Sequence, residues 1–142
     1  MKIAIGSDHA GFLFKEELKT FLQKQAHAVN DVGCFSSESV DYPDFAHQVA
    51  ELVANKSVEY GVLVCGSGQG VCIAANRHKA VRAILVRSEE DAKLGREHND
   101  ANIACFGARI SDVGLAEKLL QIFLNTKFAE GRHTKRIEKI DC

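Results

Sequence analysis

Short apolar runs rich in β-branched residues alternate along this chain with longer stretches in which apolar positions recur at helical spacing. Lys2–Gly6 (Lys-Ile-Ala-Ile-Gly) predicts a first strand ending in a glycine turn. Phe14, Leu18, Phe21 and Leu22 then fall at i, i+4, i+7 and i+8, one face of an amphipathic helix. Ala28–Val32 reads as a weaker second strand, and residues 36–42 as a loop. Pro43 suits the first turn of the helix that Phe45, Val49, Leu52 and Val53 mark. Val62–Val64 is a short apolar run feeding a glycine-rich turn, with a helix-compatible segment from Val71 to about His78. Val81–Val86 predicts a fourth strand. Ser88 reads as the cap of the next helix, with Glu89, Glu90 and Asp91 at its positive end. Ile103–Phe106 is the fifth strand. Ala116, Leu119, Leu120, Phe123 and Leu124 mark a last amphipathic helix, capped by Ser111 or Asp112, and a basic segment or short helix covers about residues 131–142.

Strands alternating with helices at crossover spacing predict an α/β fold: a three-layer α/β/α sandwich around a five-stranded parallel, Rossmann-like sheet. No linker, repeat or low-complexity segment divides residues 1–142, so one domain is expected. In such sheets ligands bind beyond the carboxyl ends of the strands. The polar groups that stand out lie there: Asp8 and His9 after the first strand, and residues 65–70 after the third.

Composition narrows the function classes. A net charge of −1 gives no electrostatic reason to expect nucleic acid or an anionic membrane as partner. No apolar run approaches the length of a membrane span, and strand-like sequence begins at Lys2, so neither a span nor a signal peptide is expected. Five cysteines without CxxC spacing suggest a reduced, cytoplasmic protein with a thiol available for chemistry.

The stretch Cys65-Gly66-Ser67-Gly68-Gln69-Gly70 carries the strongest chemical signal. Glycines at alternate positions let backbone N–H groups converge where a Cβ would obstruct them, and the helix behind adds partial positive charge. The Cys65 thiol and the Ser67 hydroxyl flank that concavity. The plainer reading is a tight strand–helix turn with a buried cysteine. Several familiar sites are excluded at specific residues. A dinucleotide fingerprint would need glycine where Asp8 stands, which makes Asp31, at the end of the second strand, a decoy for a ribose-binding acid. Gly6 to Gly11 has P-loop spacing, but Phe12 and Leu13 occupy the lysine and hydroxyl places. A cysteine phosphatase would need arginine at Val71, and a phosphorelay receiver aspartate at Cys65. No His, Cys or carboxylate grouping has zinc-ligand spacing.

Gly6-Ser7-Asp8-His9-Ala10-Gly11, Asp41-Tyr42-Pro43, Cys65 to Gly70, Ala74-Ala75-Asn76, His98-Asn99 and Gly131-Arg132-His133 together cover the chain in order. In these motifs it resembles the ribose/galactose isomerase family, which holds the type B ribose-5-phosphate isomerases and the galactose-6-phosphate isomerase subunits. The resemblance implies a metal-free, cofactor-free aldose–ketose isomerase of carbohydrate metabolism, acting on a small sugar phosphate in the pentose phosphate pathway. It implies a homodimer or tetramer whose active sites are shared between subunits.

It also implies roles. Cys65 would be the base moving a proton between C1 and C2, Ser67 the relay between the two substrate oxygens, and His98 the group assisting ring opening, with Asp8 as a candidate partner. Asn99, Tyr42 and His9 would line the site, together with Gly66, Gly68, Gln69 and Gly70 of the turn. Arg109, Arg132 and Arg136, with His133, would hold the phosphate. One branch of the family uses a glutamate directly after the glycine turn as base; here that place is Val71.

The chemistry explains the residue types. Enediolate formation puts negative charge on oxygen, where fixed N–H donors are worth most. The turn amides are expected to meet that oxygen, with the arginines elsewhere. A thiol ahead of a helix start is placed to ionise, and arginine binds phosphate through two donors at once. Isomerases for allose or galactose 6-phosphate are the nearest alternative, and a non-catalytic sugar-phosphate sensor is another. Outside the family motifs the same residue types need no function: Cys34, Cys72, Cys105 and Cys142 read as core or tail thiols, and His27, His47 and His78 carry no case.

Overall fold

The computed structural model describes residues 1–142. Its strands are β1 (Lys2–Ser7), β2 (Ala28–Gly33), β3 (Tyr60–Cys65), β4 (Ala83–Leu85) and β5 (Ile103–Gly107). All neighbours pair in parallel, in the order β2-β1-β3-β5-β4. The helices are α1 (Phe12–Lys24), α2 (Tyr42–Ala54), α3 (Gln69–Ala75), α4 (Glu89–Asn99), α5 (Val113–Asn125) and α6 (Arg132–Ile137). This is the three-layer α/β/α sandwich that the alternation of patterns predicts. No helix is long and apolar enough to cross a membrane.

The central strands read as unbroken apolar runs because both of their faces are covered. Ile3, Ile5, Val62, Val64, Ala104 and Phe106 point to one side, where Leu18, Ala92, Leu119 and Phe123 of α1, α4 and α5 pack on them. Ala4, Leu63, Cys65, Ile103 and Cys105 point to the other, under Val49 and Val53 of α2 and Val71 and Ala75 of α3. Truncating a fully buried aromatic such as Phe106 or Phe123 costs about 3–5 kcal/mol.

Boundaries shift where side chains intervene. α3 ends at Ala75 rather than near His78, because Asn76 turns its amide onto the edge strand: Oδ1 accepts from the Ala83 N–H and Nδ2 donates to the Ala83 carbonyl, both at 2.8 Å. β4 is shorter than its apolar run, since it has only β5 as neighbour. Ser88 and Asp112 are the caps of α4 and α5, accepting from the amides of Asp91 and Leu115. The basic C-terminal segment contains the short helix α6.

The chain crosses from β1 to β2 in one direction, and from β3 onward fills the other half of the sheet. The crevice between the carboxyl ends of β1 and β3 is therefore a topological switch point.

Candidate active site

Cys65 is the last residue of β3 and is 4% exposed. Beyond it the chain turns through Gly66 and Ser67 to Gly68, which adopts φ +77, a conformation that a Cβ disfavours. That turn sends the Gly68 N–H back to the Cys65 sulfur at 3.2 Å. The Gln69 N–H donates to Ser67 Oγ, also at 3.2 Å. The amides of Gly66, Ser67 and Gly70 have no acceptor within the chain. Two of the converging donors are thus committed to the thiol and the hydroxyl, and three remain for an anion.

These groups border a cavity of about 400 Å³ lined by Asp8, Tyr42, Cys65, Gly66, Ser67, Gly70, Arg109 and Ile110. Asp8 follows β1 and is buried; its Oδ1 accepts the Gly11 N–H at 3.0 Å, which closes the turn into α1. His9 is tied to the 36–42 loop, its Nδ1 lying 3.1 Å from the Val40 nitrogen and 3.2 Å from the Val40 carbonyl oxygen. Tyr42 opens α2 and lays its ring against Gly70, so closely that any Cβ at Gly70 would collide with it.

Arg109 corrects the expectation that the arginines lie away from the glycine turn. β5 sits directly beside β3, and the loop leaving it falls onto that turn. The Arg109 N–H donates to the Gly66 carbonyl at 3.0 Å, and its guanidinium covers the Gly66 Cα. Ile110 is a lining residue that sequence reasoning missed; a single exposed isoleucine after a turn gives no signal of its own.

The remaining candidates lie at the other end of the same subunit. α4 starts beyond the carboxyl end of β4 and runs back for 11 residues, roughly 16 Å, so its last turn, with His98 and Asn99, reaches the amino ends of the strands. His98 therefore does not meet Asp8 within one chain. α6 packs on that turn, bringing Arg132, His133 and Arg136 to it. The His98 and His133 rings stack at 4.3 Å and 15°. Burial, then the neighbouring charges of His98, Arg132 and Arg136, hold the His133 imidazole below its ordinary value. The cluster is cationic and suited to an anion.

Other titratable groups have structural partners. Asp31 accepts Lys15 Nζ through both oxygens, at 2.8 and 2.7 Å, and Lys19 Nζ at 2.8 Å, and so is spoken for, as the missing glycines of a dinucleotide site imply. Burial drives the Cys105 thiol well above the usual range. Cys34 is buried, Cys72 half-buried and Cys142 exposed.

Comparison with known proteins bears on the whole chain. The family model described as Ribose/Galactose Isomerase matches residues 3–140. Ribose-5-phosphate isomerase B of Escherichia coli is 42% identical over 139 residues, covering 98% of this chain and 93% of that protein. The structure of Clostridium thermocellum ribose-5-phosphate isomerase B superposes with a TM-score of 0.97 at 44% identity, covering 99% of this chain and 95% of the other. That of ribose-5-phosphate isomerase B from Mycoplasma genitalium, with bound ribulose-5-phosphate, gives 0.93 at 41% identity, covering 98% and 93%. With the match running almost from end to end, the chain belongs to the ribose/galactose isomerase family and is an isomerase.

Proposed function

We propose that this protein interconverts D-ribose 5-phosphate and D-ribulose 5-phosphate through an enediolate, as a cytoplasmic enzyme with Cys65 as the base. One observation carries the reading: the Cys65 sulfur, held by the Gly68 amide, borders a cavity that Gly66, Ser67 and Gly70, whose amides have no acceptor within the chain, also line. A hydrogen bond from N–H to sulfur strengthens when the sulfur is anionic.

The steps follow from the bonds that must change. The Cys65 thiolate takes the proton from C2 of the open-chain aldose. The C–H electron pair becomes the C1–C2 double bond, and the carbonyl electrons move onto O1, where the free amides of Gly66, Ser67 and Gly70 stabilise the charge. Ser67 passes the O2 hydroxyl proton to O1. As the C2 carbonyl forms, Cys65 returns its proton to C1. Asp8, His9 and Tyr42 line the same end, and Arg109 supplies a cation for the phosphate.

Ring opening by His98, contact by Asn99, and the further phosphate contacts of Arg132, His133 and Arg136 need a second copy. Within one chain these residues stand at the opposite end of the sheet from Cys65. The active form is therefore a homodimer, alone or paired into a tetramer, with each site drawn from two subunits. Binding energy at the phosphate then orients the reacting carbons at a distance.

Steady-state kinetics on the purified protein with ribose 5-phosphate, allose 6-phosphate and galactose 6-phosphate test the assignment. The expected result is the highest kcat/KM on ribose 5-phosphate. A preference for a six-carbon substrate would move the assignment to a hexose-6-phosphate isomerase, and binding without turnover of any of them would leave a sensor.

A further inference from the structure

Asp100, the residue after Asn99, ends α4 in a left-handed conformation, φ 45 and ψ 45. Two arginines from different parts of the chain converge on it. Arg82, just before β4, donates from Nε to the carbonyls of Asn99 at 2.9 Å and Asp100 at 3.0 Å, and from Nη2 to Asp100 Oδ2 at 3.2 Å. Arg96, one helical turn earlier and 5% exposed, donates from Nη1 to Asp100 Oδ1 and to the Ala101 carbonyl, both at 2.7 Å. Its Nε donates to the Thr126 carbonyl at 3.1 Å, at the start of the connection from α5 to α6. The Arg96 guanidinium is held from behind by the rings of Tyr60 at 5.1 Å and Phe123 at 5.8 Å.

We propose that Arg82, Asp100 and Arg96 form a positioning clamp that fixes where His98 and Asn99 are presented. The clamp rests on the reading of His98 as part of the site. Its geometry goes beyond what helix termination needs. Asp100 closes the helix through its own N–H to the Arg96 carbonyl at 3.1 Å, and beyond satisfying the carbonyls of Asn99, Asp100 and Ala101 the two guanidinium groups also take both oxygens of the Asp100 carboxylate. Those forks grip the backbone immediately after His98, and through Thr126 the strap leading to Arg132 and Arg136. The cationic cluster is thereby set by one buried guanidinium. Arginine suits this role because its planar fork fixes direction as well as distance. None of the three residues needs to touch substrate.

The test is a double-mutant cycle on the full-length protein, reading kcat/KM on ribose 5-phosphate and the melting temperature. Misplacing reacting groups by about 1 Å typically costs up to 10²-fold, so Asp100→Asn in the native background is expected to lower kcat/KM by about 10- to 10²-fold. In a His98→Ala background the same substitution should cost clearly less than in the native background, because the part of the clamp's effect that acts through His98 is already lost. A purely structural role would give equal losses in both backgrounds, and that additivity would overturn the proposal. Arg82→Lys supplies a second arm if Asp100→Asn does not fold: it keeps the charge, replaces the planar fork by a single point donor that cannot reproduce the geometry of the three bonds, and should show the same non-additivity. If His98→Ala alone leaves turnover unchanged, His98 is not in the site and the clamp falls with it. A His98→Ala loss combined with additive clamp variants would instead overturn the clamp and leave the site standing.

Discussion

Replacing Gly68 with alanine perturbs the glycine turn at its tightest point, and the same replacement two residues earlier provides an internal control. At Gly68 a Cβ would stand 2.5 Å from Leu85 Cδ1, 2.9 Å from the Phe106 carbonyl carbon and 3.0 Å from the Gly107 nitrogen. Two of those atoms are backbone of β5 and cannot rotate away. The φ of +77 adds about 1–2 kcal/mol of strain for any residue with a Cβ. Overpacking contributes about 1–3 kcal/mol, and the stiffer unfolded chain offsets about 0.4–1 kcal/mol. The net loss is about 1–5 kcal/mol, a drop in Tm of roughly 3–18 °C for a chain of this size. At Gly66 the nearest atom to a Cβ is Arg109 Nη1 at 3.0 Å, the far end of a flexible side chain. Stability should there change by less than about 1 kcal/mol. Function should separate as well. Gly68→Ala moves the amide on the Cys65 sulfur and should lower kcat by about 10²–10³-fold. Gly66→Ala displaces the Arg109 guanidinium and should act mainly on KM. Circular dichroism melts and initial rates of ketose formation read both effects. A Gly68→Ala protein that melts with wild type and turns over normally would refute the reasoning.

Asp31 supports a stability prediction with a defined pH window. Burial raises its carboxyl pKa, but the Lys15 and Lys19 ammonium groups and the Gly33 N–H outweigh this and hold it below the ordinary value. A depressed folded value stabilises above the unfolded pKa of about 3.9 and is lost as pH falls through the folded value. Asp31→Asn should therefore cost about 3 kcal/mol at pH 7, because Lys15 is fully buried. The gap between variant and wild type should narrow below about pH 4; denaturant unfolding across that range measures it, and a pH-independent gap would contradict the assignment. Subunit complementation tests the shared site: Cys65→Ala and His98→Ala proteins, each strongly impaired alone, should recover about a quarter of the wild-type rate after unfolding and refolding together, since half of the dimers are mixed and carry one intact site. No recovery would mean that both residues serve the same copy.

Much of this was legible from the chain because burial on both faces turns β1, β3 and β5 into unbroken apolar runs, and because Ser88 and Pro43 mark helix starts chemically. The glycine turn was legible for a similar reason: only a close backbone approach calls for glycine at alternate positions. Strand order was not. Nothing periodic in the sequence says that β5 inserts between β3 and β4, and that insertion is what drops Arg109 onto Gly66. The end of α3 is set by Asn76, a side chain acting across the turn, and the length of β4 by its having a neighbour on one side only; neither shows in the apolar pattern. The separation of the candidate residues between the two ends of the sheet follows from helix direction alone, since a helix leaving the carboxyl end of a strand must finish at the amino end of the next. The motif residues are interleaved along the chain and conceal that separation.

The most direct measurement is the initial rate of ribulose 5-phosphate formation by Cys65→Ala beside wild type, at equal folded concentration and saturating ribose 5-phosphate. With the sulfur as the base, the variant should still bind the sugar phosphate and lose about 10²–10⁴ in kcat. A variant that isomerises at the wild-type rate would show that the proton between C1 and C2 travels through another group.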